Sequence, residues 1–342
     1  MGAQVYQEQV ARRAEGALLE VGADEWEVRR LVTRSVRSSL RGNRRLPVAK
    51  VAIAPAVVRR ELGRLFYGRA QVSHRMNLEL PPAPRGDIVT IHDVVAWRFP
   101  DESPPVPAAA EEARRAAAVI CVSEFSASEA QDLLGIRDPH VVHNGVDAAF
   151  FQATPHDSTT LKQWGIERPF VLHAGGAARR KNLEALAAAW PLVRATRPDL
   201  DLVLAGPPHP RRTDLFVALP GTRLVGRLPD QAVPGLVAAA SAVVVPSLYE
   251  GFGLPALEAM AAGVPVVAAR TSSLPEVVAD AGLLVEPTGA AIAEGIIEAT
   301  SGHADVTALV DRGRARAALF TWERSAREHA RVWASVGATP QV

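Results

Sequence analysis

Val243–Val267 reads VVVPSLYEGFGLPALEAMAAGVPVV, and its order of apolar run, proline, carboxylate, glycines and helix decides the fold class. Val243, Val244 and Val245 form a β-branched run of the kind carried by a strand buried on both faces, and Pro246 stops it. Glu250 then falls in a loop. In Gly251-Phe252-Gly253 the glycines permit backbone angles and a close ligand approach that a Cβ would block. Leu254 and Pro255 lead into a helix from about Ala256 to Ala262, with the proline in its first turn. The unpaired amides there, at the positive end of the helix dipole, make an anion site that can hold a diphosphate without a metal. Glu258, one turn further in, then reaches a ribose. The pair Glu250 and Glu258 alone would carry none of this, since carboxylates so spaced more often mark a solvated helix face. The flanking residues carry it.

Upstream, Val171–Asn182 reads VLHAGGAARRKN: an apolar strand, a turn at Gly175-Gly176 and three consecutive cations opening a helix. Arg180 and Lys181 would face the diphosphate. Lysine is scarce, only Lys50, Lys162 and Lys181 among 38 Lys and Arg, so a lysine directly after two arginines points to a compact ammonium being wanted there. In the first half, Asp87–Asp93 reads DIVTIHD, a strand that delivers His92 to its C-terminal end, where open α/β sheets place their ligands. His74 holds a similar place after the preceding strand. Ala118–Ser126, AVICVSEFS, is a further buried strand with Cys121 as inert packing, and Ser126, three residues before Glu129, reads as a helix cap.

A chain of 342 residues that is 48% hydrophobic is long enough for two domains with two cores. A single cysteine excludes a disulfide framework and fits a reducing cytoplasm. No apolar run reaches the roughly 18 to 20 residues of a membrane span. The nine histidines are scattered, without the spacing of a metal site, so no metal and no cofactor are expected. From Arg29 to Arg69 there are twelve cations against one acid, Glu61, although the net charge is only +1. If Arg30 to Leu46 is helical, Arg30, Arg34, Arg37, Arg41 and Arg45 share a face, which suits an anionic membrane surface or a lipid-diphosphate acceptor; some of the segment could instead be strand. Few aromatics interleave the patch, which disfavours nucleic acid.

The strand, Glu-Gly-Phe-Gly-Leu-Pro, Glu-Ala-Met-Ala and Gly-Val-Pro-Val-Val series closely resembles the donor site of retaining glycosyltransferases of family 4, the group 1 glycosyltransferases, built on the GT-B fold. Val171–Asn182, Leu224–Pro229, beside the nucleobase in the family, and Thr271–Asp280 (TSSLPEVVAD) extend the resemblance. It implies an α/β protein of two Rossmann-like, doubly wound domains facing across a cleft. The expected acceptor-side domain is 1–152, the nucleotide-sugar domain 162–318, and 319–342 a C-terminal helix crossing back to the first domain. It also implies a cytoplasmic, metal-independent hexosyltransferase, with mannose as the favoured sugar, acting from a nucleoside-diphosphate sugar onto a saccharide or lipid-linked glycan, with peripheral contact at the inner face of the cell membrane. In that reading Arg180, Lys181, Glu250 and His92 act on the reacting sugar phosphate, and Gly175, Gly176, Gly251, Phe252, Gly253, Leu254, Pro255 and Glu258 bind the donor. Gly2 and His74 fall on the acceptor side. The alternatives are a partner subunit that keeps the fold without turnover and a nucleotide-sugar epimerase, which lacks the Glu-Gly-Phe-Gly-Leu-Pro series.

Two departures from the family stand out. Its turn often carries Gly-Arg where this chain has Gly175-Gly176 and therefore no phosphate-binding arginine at that position. Family members also begin with a strand and a Gly-rich turn, whereas Gly2–Tyr6 already resembles the end of that turn. The expectation is roughly 10 to 20 further residues in frame before Met1, enough for one strand and the turn.

Overall fold

The structure, a computed structural model, describes residues 2–36, 42–100 and 102–338. The chain divides into two compact units, Met1–Gly145 with Trp322–Val342, and Val146–Thr321. In the first unit β1 (Thr33–Ser35) and β2 (Arg44–Leu46) pair in parallel, apart from a four-stranded parallel sheet of β3 (Ser73–Arg75), β4 (Asp87–Ile91), β5 (Ala118–Cys121) and β6 (His140–Val141), in that spatial order. Every residue of β4 and β5 is buried, as expected of a parallel sheet covered on both faces.

Among the described residues of Arg30–Leu46 there is no helix, and the strand alternative holds for Thr33–Ser35 and Arg44–Leu46. The Asn43 side chain accepts from Val32 N (2.8 Å) and donates to the Arg30 carbonyl (2.6 Å), taking backbone groups that a helix would need and holding β1 and β2 extended. Arg37, Leu40 and Arg41 lie outside the described residues. The helix after β5 begins at Glu124, and its cap is Ser123 rather than Ser126. Ser123 Oγ accepts from Ser126 N (2.9 Å) while Ser126 Oγ accepts from Ser123 N (3.0 Å), a reciprocal box with serine in the usual glutamate position. Glu129 instead pairs with Arg98.

The interior of the first unit is unusually ionic. Arg59, on the helix Ala56–Tyr67, meets both oxygens of Glu112 (2.7 and 2.8 Å), and Arg75 meets both oxygens of Asp87 (2.9 and 2.8 Å). The final helix Trp322–Ala338 lies in this unit, packed on the first helix Gly2–Glu20. One hydrogen-bond chain ties them through the sheet, and its direction follows from elementary chemistry. A carbonyl only accepts, so His329 Nδ1–H donates to Ser325 O (2.7 Å), and His329 Nε2 accepts a hydrogen bond from Tyr6 OH (2.6 Å). An indole N–H only donates, so Trp333 Nε1 gives to His74 Nδ1 (3.2 Å) and His74 Nε2–H to Thr90 Oγ1 (2.7 Å). The Thr90 hydroxyl then donates to the Tyr6 oxygen (2.7 Å). Burial keeps His74 and His329 neutral, their pKa values pushed down, to about 4 for His329.

The second unit is one parallel sheet of β7 (Phe170–Ala174), β8 (Asp201–Ala205), β9 (Thr222–Gly226), β10 (Ala242–Val245), β11 (Val266–Ala269) and β12 (Leu283–Val285), in the spatial order β12-β11-β10-β7-β8-β9. On one face Leu183, Leu186, Trp190 and Val193 of the helix Leu183–Thr196 and Ile292 and Ile296 of the helix Gly289–Ala299 pack against Val171, Leu202, Val244 and Val267. Strand order reverses between β7 and β10. In an open α/β sheet such a switch leaves a crevice at the carboxyl ends of the two strands, which places any ligand on the loops after Ala174 and after Val245.

Candidate active site

Those two loops carry the residues singled out by the sequence. After β7 the chain passes Gly175 and the exposed Gly176 into a short 3-10 turn, Arg179–Lys181. Asn182 follows in the left-handed region (φ 54°), buried, its amide donating to Pro246 O and Pro287 O (3.0 Å each), so one side chain joins the loops after β7, β10 and β12. After β10, Ser247 and Glu250 lead to Gly253 (φ 101°), the N-cap of the helix Leu254–Ala261, with Pro255 in its first turn. Asn182 and Ser272 are two of the four non-glycine residues with left-handed backbone among the described residues, and both flank this site. Such strain persists where the surrounding structure imposes it.

At the centre Lys181 Nζ lies 2.6 Å from Glu250 Oε1, which also accepts from Ser247 Oγ (2.7 Å), while Arg180 Nη1 stands 3.9 Å from Oε2. The Glu250 backbone is held as well: its N–H donates to Ser272 Oγ (2.9 Å) and its carbonyl accepts from Ser273 Oγ (2.9 Å). Burial alone would raise the Glu250 carboxyl, but Lys181, Ser247 and Arg180 together hold it below the usual glutamate range, so it is ionised. Glu258 is the opposite case. It is half-buried on the first turns of its helix, and no hydrogen bond or ion pair engages it among the described residues. Burial, with Asp147 adding to it, pushes its carboxyl up to about 8. The two carboxylates are thus one charged and anchored, the other open to a hydroxyl.

In the first unit, His92 follows β4. Its Nε2–H donates to Met76 O (3.2 Å), which leaves Nδ1 as an acceptor, and the ring stands edge-on to Tyr6 at 4.6 Å; burial lowers its pKa, so the neutral form prevails. Both ring nitrogens of His74 are engaged within the chain from Trp333 to Ser325, and Gly2 opens the first helix, exposed. Cys121 is buried, its thiol raised to about 12, the state of an unreactive packing residue. No group of three or more His, Cys, Asp or Glu is placed to hold a metal ion among the described residues.

Sequence reasoning passed over several participants. Ser247, Ser272 and Ser273 position Glu250, and only their closeness to it in space reveals this. His173, the fourth residue of β7, is buried with Nδ1 on Val244 O (3.2 Å) and Nε2 without a partner, its pKa lowered to about 4. In an apolar strand it reads as packing. Two further cations, Arg211 and Arg212, reach the carbonyls of the turn after β7.

Compared with known proteins, residues 168–301 match the family described as Glycosyl transferases group 1, and residues 82–150 match Glycosyltransferase Family 4. The chain is 31% identical over 301 residues to the O-antigen chain mannosyltransferase B of Escherichia coli, covering 82% of this chain and 78% of that one. It is 34% identical over 212 residues to a phosphatidyl-myo-inositol mannosyltransferase of Propionibacterium freudenreichii, 60% of this chain and 52% of the relative. Among solved structures, Anabaena HepE in complex with UDP and glucose superposes with a TM-score of 0.69 at 20% identity, covering 98% of this chain and 96% of that one.

Proposed function

This chain belongs to glycosyltransferase family 4, the group 1 glycosyltransferases of GT-B fold, and from that premise we propose that it moves a mannose-type hexose from a nucleoside-diphosphate sugar to a hydroxyl of a saccharide or lipid-linked glycan, with retention and without a metal. The observation that carries the reading is the Lys181–Glu250 pair at the switch point, 2.6 Å apart, with the unpartnered Glu258 on the neighbouring helix. The mannosyltransferase relatives favour the sugar.

An ammonium has three N–H donors. With one on Glu250, Lys181 keeps the others for phosphate oxygens, and Arg180 and the amides of Gly253 and Leu254 add positive potential where the leaving diphosphate gathers charge. Glu250 stays ionised, and its second oxygen accepts sugar hydroxyls; Glu258 takes the ribose. In the first unit the neutral His92 offers Nδ1 as an acceptor for a hydroxyl. The acceptor oxygen bonds to the anomeric carbon as the bond from that carbon to the phosphate oxygen breaks, and the acceptor's proton passes to the departing phosphate, so no protein nucleophile is consumed.

The same reading includes contact with an anionic membrane through Arg29–Arg69. On the helix Ala56–Tyr67, Val57 (68% exposed) and Leu65 (83%) stand in water beside the exposed Arg60 and Arg64, with Ile53 (72%) just before it. Apolar side chains among cations are the composition of an interfacial face. No helix among the described residues is long and apolar enough to cross a membrane.

The test is to incubate the protein with labelled GDP-mannose and UDP-glucose in excess EDTA and to record the product's anomeric signals by NMR. Transfer with the donor's configuration is expected. An inverted product, or activity that returns only with added magnesium or manganese, defeats the mechanism. A thermal-shift comparison of UDP, GDP, ADP and dTDP identifies the base, since a ligand at ~100 times its Kd stabilises by about 2.7 kcal/mol.

A further inference from the structure

Among the described residues three arginines are fully enclosed by protein: Arg59, Arg75 and Arg212. Arg59 and Arg75 each grip a carboxylate with two nitrogens, the arrangement that makes a buried guanidinium tolerable. Arg212 is 2% exposed and meets no carboxylate among the described residues. Its Nη1 donates to Pro207 O (3.0 Å), its Nη2 donates to Gly175 O, and its Nε has no partner. The fit is tight: a Cβ on Gly206 would stand 2.0 Å from Gly175 O and 3.0 Å from both terminal nitrogens of Arg212. A buried cation without a counter-charge is costly, and this one lies directly under the Gly175–Gly176 turn.

The backbone carries its effect outward. No cis peptide bond is present among the described residues, and in a trans peptide the C=O and the following N–H point in opposite directions. With the Gly175 carbonyl drawn to Arg212, the Gly176 N–H faces away from it, on the exposed side of the turn, where no protein acceptor takes it among the described residues. Arg211 does the same two residues on: its Nη1 donates to Ala177 O (2.6 Å), turning the Ala178 N–H away, while its other nitrogens pair with Glu184. Two alternate amides turned outward in this way, with cations behind them, suit an anion. His173 Nε2, left an acceptor because Nδ1–H donates to Val244 O, lies 3.4 Å from where a Gly175 Cβ would be and has no partner, so the unused donor beneath the turn is that of Arg212.

We propose that Arg212, assisted by Arg211, is a positioning residue for the donor diphosphate: held beneath the turn after β7, it aims the Gly176 and Ala178 amides at the phosphates and supplies the positive charge that the Gly175-Gly176 sequence lacks. The inference rests on the donor-site reading above.

The experiment measures, by calorimetry on the full chain, the affinity of GDP and of UDP, each against its own nucleoside, for the wild type, Arg212→Gln and Arg212→Lys. A wild type that binds neither diphosphate more tightly than its nucleoside defeats the donor-site reading and this inference together. Given that preference in the wild type, Arg212→Gln is expected to weaken diphosphate binding about tenfold or more with nucleoside affinity unchanged, and to raise KM for the sugar nucleotide. Arg212→Lys, which keeps charge but not the fork, recovers part of it. Unchanged diphosphate affinity overturns the inference, as does an equal loss for nucleoside and diphosphate, the mark of a merely structural role. If Arg212→Gln does not fold, Arg212→Lys and Arg211→Gln are judged by the same two criteria.

Discussion

Burial raises the Glu258 carboxyl to about 8, so the folded chain disfavours its charged form at neutral pH. The folded pKa lies above the ordinary glutamate value of 4.5, so the associated stability is complete below that value and is lost as pH rises through about 8. Glu258→Gln should therefore melt several degrees above the wild type at pH 9 and near it at pH 5, while binding nucleotide about tenfold more weakly. Melting curves that run parallel across this range would refute the burial argument. Lys181 poses the reverse case, since removing it leaves the enclosed Glu250 carboxylate without its cation. Lys181→Ala should cost about 3 kcal/mol in denaturant unfolding and lower turnover more than donor affinity, whereas Lys181→Ala combined with Glu250→Gln should recover much of the stability and none of the turnover. A double variant as unstable as the single one would show that the pair is not coupled.

At the scale of elements, Tyr6 connects the first helix, β4 and the final helix through one hydroxyl. Tyr6→Phe strands His329 Nε2 in a dry interior, and a loss of about 1 to 3 kcal/mol is expected in chemical denaturation. Acid should act on the same joint. His74 and His329 have folded pKa values depressed below 6.5, so the stability they confer is present above that pH and falls away below it, for His329 as pH drops toward about 4. The elements themselves were legible in the sequence to differing degrees. DIVTI and AVIC are continuous apolar runs and became the two buried strands β4 and β5; Pro246, Gly253 and Pro255 marked a strand end and a helix start within two residues. The helix cap was missed by three positions because Ser123 and Ser126 share one box and glutamate was expected in the role a serine fills. For Arg30–Leu46 the sequence leaves helix and strand open, because the periodicity of its arginines says nothing of Asn43, whose side chain diverts the backbone into the strands at Thr33–Ser35 and Arg44–Leu46. Within the site, Glu250 and Lys181 were readable from local pattern. Their neighbours Ser272 and His173 were not, since contact between residues 22 or more positions apart leaves no periodic trace.

Over the whole molecule, the exposed Ile53, Val57 and Leu65 and the arginines around them predict recruitment to anionic vesicles. Sedimentation with phosphatidylglycerol vesicles should fall steeply with salt and be abolished in Ile53→Ser, Leu65→Ser protein of unchanged melting temperature. Binding that is indifferent to both changes would place the lipid contact elsewhere. The division of the chain also sets an order on its making. Val146–Thr321 is a single continuous stretch, but the first unit is not, because the helix that completes it is made only after the whole second unit. The Tyr6 hydroxyl must wait for His329, 323 residues later, which at bacterial-like synthesis rates of about 5 to 20 residues per second is roughly 15 to 65 s. Throughout that interval the face of the first helix bearing Tyr6, Val10, Ala14 and Leu18 has no final helix to cover it. Slowing translation within Val146–Thr321, while that face is uncovered, should therefore raise aggregation more than slowing it before Tyr6 is made.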